Sequence, residues 1–223
     1  MNINYFDCGF PYILIDDFYN EEELDLIWEE LDFLSYDDKF QPPEATGSAY
    51  VPPGEEDNDD LILLKKNRGI FLEDVFLHRA CSNILKVNKK LFDLDLTKHG
   101  SWFFENIPEA LTSNTNLISY YEDTDEDKAY YAPHRDTALV TVLTWFYKGT
   151  SKKFKGGDLY FPDYDNECVE VKYNRVILFP SFIKHAVDNV EVEECFRGKY
   201  MGRYCLTTFM TQQRSCPSCN HTF

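Results

Sequence analysis

The sequence lacks a long hydrophobic run, since no apolar stretch approaches the roughly 20 residues that a membrane-spanning helix needs. Its opening residues, MNINYFDCGF, also lack the basic start, apolar centre and small-residue cleavage site of a secretory signal peptide. From these two absences we expect a chain without a membrane segment, located in the cytoplasm.

Basic side chains are scarce as well. The 22 Lys and Arg residues stand against 39 Asp and Glu residues, which gives a formal net charge of −17. Proteins that bind nucleic acids gain much of their affinity from Lys and Arg contacts with phosphates. A surface this acidic therefore argues against a nucleic-acid substrate.

A disulfide framework is a third absence. The 7 cysteines are an odd number, scattered along a chain that is long enough to bury a core, so we expect reduced thiols. Near the end of the sequence, Cys216, Cys219 and His221 supply three ligands of a structural zinc site, but no second C-x-x-C motif provides a fourth. We favour a tail without metal, and a zinc clip or a redox pair is the alternative.

Apolar residues are plentiful, at 43% hydrophobic and 16% aromatic, and 223 residues fit a single domain. The run at 10–18 predicts a buried strand. A helix is predicted after Asn20, because glutamates fill its first turn and apolar residues then recur at helical spacing. The proline-rich, acidic residues 36–60 predict a loop or lid, and a second helix is predicted at about 72–92.

Strand-like segments dominate from Leu117 onward. They are short and separated by turn-forming or charged residues: NLISYY, ALVTVLTWFY, DLYF, CVEVKY, RVILF and YCLTTFM. Helices followed by closely spaced strands predict a mainly β fold with flanking helices, in which a sheet sandwich or jelly roll is backed by the N-terminal helices. Within this single domain we separate an N-terminal part (1–116), a β core (117–212) and a tail (213–223).

The segment YYAPHRD carries a His-x-Asp motif, His134 and Asp136. In a strand, residues i and i+2 point to the same face, so this imidazole and this carboxylate can converge. A distant histidine, His185, follows the strand-like run RVILFPS. Two His and one carboxylate on one face of an octahedral metal leave three positions open, as in non-haem Fe(II) oxygenases. A chelating 2-oxo acid and O2 can fill them, and iron is implied because zinc does not reduce O2.

Three further features accompany the metal motif. Residues 154–161 (FKGGDLYF) place two glycines before a strand, residues 175–185 deliver His185 to the end of another, and Arg203 opens the apolar strand RYCLTTF. Taken singly, an ordinary hairpin turn explains the glycines and a surface position explains the arginine.

Taken in order, these features resemble the Fe(II)/2-oxoglutarate dioxygenase superfamily, in its prolyl 4-hydroxylase-like branch. The similarity covers roughly residues 117–210, and residues 10–27 are similar to that branch's first strand and helix. The resemblance implies a double-stranded β-helix, a cupin-like jelly roll. It also implies Fe(2+), 2-oxoglutarate and O2 as cofactor and cosubstrates, with ascorbate as a further cofactor.

The resemblance assigns candidate site residues. The iron ligands, and hence the candidate catalytic residues, are His134, Asp136 and His185. Arg203 matches the residue that grips the distal carboxylate of 2-oxoglutarate, and a guanidinium can do so through two parallel hydrogen bonds. Arg197, in more charged sequence, is its rival. Tyr121 matches a tyrosine that hydrogen-bonds the cosubstrate, with Tyr120 as the alternative.

The chain departs from the family pattern in three places. Arg203 lies 18 residues after His185, a longer interval than usual, with residues 191–200 as an inserted hairpin. The loop before the metal motif is extended by residues 122–129, and Cys205 occupies a position where serine is common. These departures affect the cosubstrate contacts and leave the metal ligands in place.

We expect a hydroxylase that acts on an unactivated C–H bond and releases succinate and CO2. By analogy, a prolyl or other side-chain position in a peptide or protein is the first candidate, and a small molecule is another. A halogenase would need the position of Asp136 vacated for halide, so this carboxylate favours hydroxylation. The acidic runs at 55–60 and 122–127 are usually solvated surface, but they could line the mouth and attract a basic substrate.

Two alternatives come from other classes. A nucleic-acid demethylase of the AlkB type would carry an asparagine and a second arginine in the last strand, and here Cys205 and Phe209 stand in those places. A cupin-like binding protein without turnover would keep the fold but could dispense with Arg203.

Overall fold

Two antiparallel β-sheets form the framework of the protein. The computed structural model describes residues 1–36, 39–46, 64–75, 82–149 and 151–212. The strands are β1 (Asn2–Asp7), β2 (Pro11–Asp16), β3 (Arg68–Phe71), β4 (Ser113–Tyr121), β5 (Ala129–His134), β6 (Val140–Phe146), β7 (Phe154–Gly156), β8 (Leu159–Phe161), β9 (Glu167–Val169), β10 (Arg175–Pro180), β11 (His185–Val192) and β12 (Arg203–Thr211).

The strand order links distant parts of the chain. Across the described residues, the larger sheet runs β1-β2-β10-β6-β12-β4-β3, and the smaller runs β5-β11-β8-β9 with β7 also paired to β11. The last strand, β12, therefore lies between β4 and β6. Such long-range antiparallel pairing across two sheets is typical of a jelly roll. The predicted mainly β fold with a double-stranded β-helix core is confirmed.

The helices are short except for the first. They are α1 (Glu21–Ser35), α2 (Leu72–Val75), α3 (Asn83–Val87) and α4 (Trp102–Asn106), with 3-10 segments at Pro43–Thr46, Asn88–Asp93, Leu96–His99, Pro108–Ala110 and Glu194–Phe196. Within the described ranges, no helix combines the length and the apolar character needed to cross a membrane.

The long helix α1 begins where the sequence predicts. The Asn20 side chain accepts a hydrogen bond from the Glu23 backbone N–H at 2.9 Å, and the Glu23 carboxylate accepts one from the Asn20 N–H at 2.8 Å. This capping box satisfies two groups at the helix start. Ile27, Leu31 and Leu34 are buried in the apolar cluster that α1 shares with the large sheet. The helix therefore covers the outer face of that sheet.

Alternation along the central strands separates two apolar clusters. On β12, Tyr204 and Leu206 pack with the helices, whereas Cys205 belongs to the cluster between the two sheets. On β6, Phe146 faces the helices and Trp145 faces the smaller sheet. Successive side chains of a strand point to opposite faces, so the large sheet buries both of its faces.

The prediction of one helix at about 72–92 is wrong. α2 covers Leu72–Val75, and residues 76–81 lie outside the described residues. Ser82 then starts a new helix, α3, because its side chain accepts a hydrogen bond from the Leu85 N–H at 3.0 Å. Serine favours such helix starts over helix interiors. The sequence patterns also missed β1 and β3, which form the two edges of the large sheet.

Some predictions fall on other parts of the chain. The acidic run at 55–60 and the Cys216, Cys219 and His221 group lie outside the described residues. The cysteines described are free thiols, at Cys8, Cys168, Cys195 and Cys205. The division of the domain after residues 116 and 212 stays a prediction.

Leu31→Ala should lower the free energy of unfolding by about 2–5 kcal/mol, because the side chain is fully buried and its loss leaves a cavity under α1. Leu26→Ala is the matched control, since Leu26 lies on the same helix with 40% of its surface exposed, and we expect a change within about 0.5 kcal/mol. Urea unfolding followed by circular dichroism measures both. Equal losses would contradict the packing of α1 on the sheet.

Candidate active site

A cavity of about 520 Å³ lies between the two sheets. The large sheet contributes Tyr121 and Arg203 to its wall, and the small sheet contributes His134 and His185. Asp136, which follows β5, lines it too, so all five candidate residues meet in one cavity. Their roles as metal and cosubstrate ligands stay predictions.

The pairing of β5 with β11 brings the two histidines together. His134 is the last residue of β5 and His185 the first of β11, and they are register partners. His134 Nε2 lies 3.6 Å from Asp136 Oδ1, and His185 Nε2 lies 3.4 Å from Asp136 Oδ2. One potential ligand atom from each side chain falls within 4.8 Å of the others. This is the spacing of side chains that could share one metal ion.

Hydrogen bonds to the backbone fix both imidazole rings. His134 Nδ1 lies 2.9 Å from the carbonyl oxygen of Ala132, and His185 Nδ1 lies 2.9 Å from that of Ile183. A carbonyl oxygen only accepts, so each Nδ1 donates its proton to the backbone and each Nε2 is left facing the cavity. Such partners are what orient metal-binding histidines.

Asp136 reaches the cluster by a route that the sequence did not predict. β5 ends at His134, so the carboxylate lies beyond the strand and its direction does not follow from strand alternation. Instead, the Asp136 N–H donates to the Ser181 carbonyl at 3.0 Å, and the Thr141 hydroxyl donates to Asp136 Oδ2 at 2.6 Å. The Thr141 and Ser181 hydroxyls lie 2.8 Å apart, which links the carboxylate to β6 and to the turn that follows β10.

Protonation in the cluster suits metal binding. Burial, followed by the nearby His185, lowers the pKa of His134 to about 4, although the Asp136 charge acts in the opposite direction. Burial acts to raise the pKa of Asp136, but the contacts with His185, His134 and Thr141 together outweigh it and hold that pKa below its ordinary value. At neutral pH, His134 is therefore neutral and Asp136 is charged, as ligands must be.

Arg203 lies fully buried on the large-sheet side of the cavity, and its Nε, Nη1 and Nη2 make no hydrogen bond with any described residue. Its guanidinium carbon lies 4.7 Å from the centroid of the Tyr121 ring and 5.8 Å from that of Trp145. Aromatic faces stabilise a cation only modestly. A buried charge without a counter-charge costs several kcal/mol, about as much as removing one partner of a buried ion pair. The site is therefore suited to bind an anion next to Arg203.

The double glycine before β8 has a role that the sequence did not reveal. Gly157 has φ +78°, and a Cβ added there would lie 2.8 Å from Arg203 Cδ and 2.9 Å from Val190 Cγ2. The turn at the double glycine is therefore also the surface against which the Arg203 side chain lies. Only glycine combines this backbone conformation with this close approach.

The structure separates both pairs of rival residues. Tyr121 lines the cavity, whereas the Tyr120 hydroxyl donates to Glu122 and accepts from the Gly202 N–H on the opposite face of the sheet. Burial raises the pKa of Tyr121 to about 12, although the Arg203 charge lowers it in part, so the hydroxyl keeps its proton. Tyr121 can therefore donate a hydrogen bond into the cavity.

Arg197, the rival of Arg203, belongs to a surface network. It forms ion pairs with Asp123, at 2.8 Å, and with Asp125, and Asp123 also accepts from the Val192 N–H. Glu122 accepts from the Gly198 N–H at 2.7 Å. The loop at 122–129 and the segment at 191–200 thus hold each other in place. The predicted hairpin at 191–200 consists of the end of β11 followed by a 3-10 turn.

The charged side chains that line the cavity are mainly basic, whereas the sequence suggested acidic residues at its mouth. None of the described carboxylates at 122–127 lines it, so these residues give no support to the prediction that they attract a basic substrate. Instead the described lining holds three basic side chains and a single carboxylate: Lys65, Arg135, Arg203 and Asp136. On a chain of net charge −17, the cavity is a region that favours anions.

Lys65 is a cavity residue that no sequence motif identified. Its ammonium donates to the Thr46 hydroxyl at 2.7 Å and lies 5.5 Å from the centroid of the Tyr131 ring. Burial lowers the pKa of Lys65 to about 8, although the Glu44 and Asp136 charges act in the opposite direction. Tyr131 in turn stacks on His134, with ring centroids 3.6 Å apart. A cation thus stands close to the cluster of potential metal ligands.

No family model matches the sequence, and no curated protein matches it. Solved structures do match. A Pseudomonas putida prolyl-4-hydroxylase superposes with a TM-score of 0.61 at 14% identity, covering 90% of this chain and 92% of that one. The chain has the fold of the prolyl 4-hydroxylase-like oxygenases. The resemblance stated from the motifs is thus confirmed at the level of the fold.

Two further matches extend this fold to different ligands. A Trichoplax adhaerens prolyl hydroxylase in complex with a hypoxia inducible factor peptide fragment matches with a TM-score of 0.56 at 16% identity, covering 90% of this chain and 83% of that one. A structure of NgTET1 in complex with 5mC DNA matches with a TM-score of 0.54 at 14% identity, covering 92% and 73%. The shared fold therefore leaves the substrate open.

Gly157→Ala should destabilise the protein more than Gly100→Ala does, by roughly 1–3 kcal/mol. Both glycines have positive φ, +78° and +72°, but an added Cβ meets Arg203 and Val190 at Gly157 and nothing within 4 Å at Gly100. The comparison therefore isolates the close approach to Arg203 from the conformational cost. Denaturant unfolding of the two variants measures the difference, and equal stabilities would exclude the contact.

Thr141→Val should weaken binding of a divalent metal by about 10–100-fold, because the hydroxyl orients the Asp136 carboxylate that we expect to bind it. Thr144→Val is the control, since Thr144 lies on the same strand and is also buried but points to the opposite face. Anaerobic titration with Co(II), followed by its visible absorption, gives both affinities. Equal affinities in the two variants would remove Thr141 from the metal site.

Proposed function

We propose that the protein is an Fe(II)- and 2-oxoglutarate-dependent dioxygenase that hydroxylates an unactivated C–H bond. The observation that carries this proposal is the presence, in one cavity, of a two-histidine, one-carboxylate cluster and of a buried guanidinium without a hydrogen-bond partner among the described residues. The first group suits a metal with open positions, and the second suits the far carboxylate of a 2-oxo dicarboxylic acid.

The metal-binding cluster and Arg203 have distinct tasks in this proposal. His134, Asp136 and His185 would hold Fe(II) on one face, and Arg203 would hold 2-oxoglutarate by its distal carboxylate. When bound, Fe(II) with 2-oxoglutarate and O2 supplies the oxidising chemistry that breaks the C–H bond, with succinate and CO2 as the other products. Tyr121, which keeps its proton, would donate a hydrogen bond to the cosubstrate. Ascorbate stays a prediction from the family resemblance.

The cavity also suits such a reaction because part of its wall is apolar. Leu117, Leu143, Val187 and Phe209 line it, and the Tyr131 ring covers one face of His134. An apolar wall excludes water, which strengthens the interactions of Asp136 and Arg203 with charged ligands and protects reactive species.

For the substrate, we propose a side chain of a peptide or protein, with prolyl positions as the first to test. The support is the peptide bound to the Trichoplax adhaerens enzyme, a protein of the same fold. DNA is the less favoured substrate despite the NgTET1 match, because the net charge of this chain is −17. The basic side chains of the cavity wall favour substrates with a neutral or acidic group near the reacting carbon over strongly basic ones.

Anaerobic reconstitution with Fe(II) and 2-oxoglutarate tests the cofactor part of the proposal. We expect a weak visible charge-transfer band, and iron-dependent succinate once O2 is admitted. His134→Ala should abolish both signals, because it removes a metal ligand. His99→Ala is the control, since this histidine packs on Phe104 outside the cavity and should leave both signals unchanged. A band without succinate would instead favour a binding protein without turnover, and no band at all would refute the proposal.

A peptide screen tests the substrate part. Proline-containing peptides should raise succinate formation above the level without substrate and gain the mass of one oxygen atom. Matched peptides in which alanine replaces proline identify the hydroxylated position. Stimulation by small acids or by methylated oligonucleotides, with none by any peptide, would overturn the peptide assignment and leave the dioxygenase proposal intact.

A further inference from the structure

A second unpartnered hydrogen-bond donor lies beside Arg203. Trp145 is fully buried, and its indole Nε1 makes no hydrogen bond with any described residue, as is the case for the three guanidinium nitrogens of Arg203. Buried indole N–H groups ordinarily find an acceptor, because leaving one unpaired costs the full desolvation of the group. Two orphan donor groups in one place indicate a missing acceptor.

The strand register explains why these donors lie together. On β6, Trp145 is the register partner of Cys205 on β12, and Arg203 lies two residues before Cys205 on the same face. The guanidinium carbon of Arg203 lies 5.8 Å from the centroid of the Trp145 ring. Tyr121 on β4 is the register partner of Arg203, so the indole and the phenol flank the guanidinium from either side.

The Cys205 thiol lies between the two donor groups, Trp145 and Arg203. Trp145 is its register partner, and Arg203 lies two residues before it on the same face of β12, so the thiol lies beside both donor groups. Burial raises the pKa of Cys205, and the Arg203 charge lowers it only in part. A thiol is a weak acceptor and its raised pKa keeps it uncharged, so it satisfies neither donor well.

A carboxylate would satisfy all of these donors at once. Its two oxygen atoms offer about four acceptor positions, and a guanidinium fork occupies only two of them. The remaining positions are open to an indole N–H and to the Tyr121 hydroxyl.

We propose that the indole Nε1–H of Trp145 donates a hydrogen bond to the distal carboxylate of the 2-oxo dicarboxylic acid that Arg203 binds. Trp145 is thus a positioning residue that selects a cosubstrate with a second carboxylate. This inference rests on the proposed function, since it concerns the same cosubstrate.

The first test compares two 2-oxo acids in the Trp145→Phe variant. Titration of the anaerobic Fe(II) protein, followed by its charge-transfer band, gives the dissociation constants of 2-oxoglutarate and of 2-oxobutyrate, which lacks the distal carboxylate. For 2-oxoglutarate we expect a rise of roughly 10-fold or more, the size for a hydrogen bond to a charged group. For 2-oxobutyrate we expect no change. Trp28→Phe is the matched control and should change neither constant, because Trp28 Nε1 donates to Tyr173 outside the cavity.

A rise of equal size for both acids would mean that Trp145 only packs the core, and would overturn the proposal. So would an unchanged constant for 2-oxoglutarate. If the unsubstituted protein binds neither acid, the proposed function itself fails, and that result is distinct from a failure of the Trp145 assignment.

A second test does not depend on the folding of the Trp145 variant. The chain has 3 tryptophans, so the double variant Trp28→Phe/Trp102→Phe leaves Trp145 as the single indole. Its fluorescence should change on adding 2-oxoglutarate, saturate together with the charge-transfer band, and stay constant with 2-oxobutyrate. Constant emission with both acids would contradict the hydrogen bond.

Discussion

The antiparallel register of β5 and β11 is the constraint on which the candidate site depends. It makes His134 and His185 direct partners, although they are far apart in the chain. Hydrogen bonds from each Nδ1 to a backbone carbonyl then turn each Nε2 toward Asp136. A shift of the pairing by one residue would turn one imidazole to the opposite face of the small sheet and disperse the cluster.

The large sheet supplies the other half of the site. Because β12 lies between β4 and β6, Arg203 has Tyr121 on one side and Trp145 on the other. Metal ligands thus come mainly from the small sheet and anion-binding donors from the large one. Thr141 and Ser181 connect the two halves, since both belong to the large-sheet side and hold Asp136 through hydrogen bonds.

Much of the candidate site was predictable from the types of residue in the sequence and from the order in which they occur. The histidines and Arg203 stand next to strands that are recognisable by their apolar patterns, so their convergence follows from a jelly roll. The hydrogen bonds that hold Asp136 in the cluster and the roles of Lys65 and Gly157 were not predictable, because they depend on contacts with distant segments. The interrupted helix at 72–92 was missed because a serine cap outweighs apolar periodicity locally.

The contacts between the loop at 122–129 and the segment at 191–200 have a consequence for exchanging segments between proteins. Arg197 lies in one loop and its carboxylate partners, Asp123 and Asp125, lie in the other, while Glu122 binds the backbone of Gly198. Shortening either loop would leave the charges of the other without partners, including the buried Asp123. The two segments therefore form one module, and a chimera between this chain and a protein of the same fold with shorter loops would have to exchange both or neither.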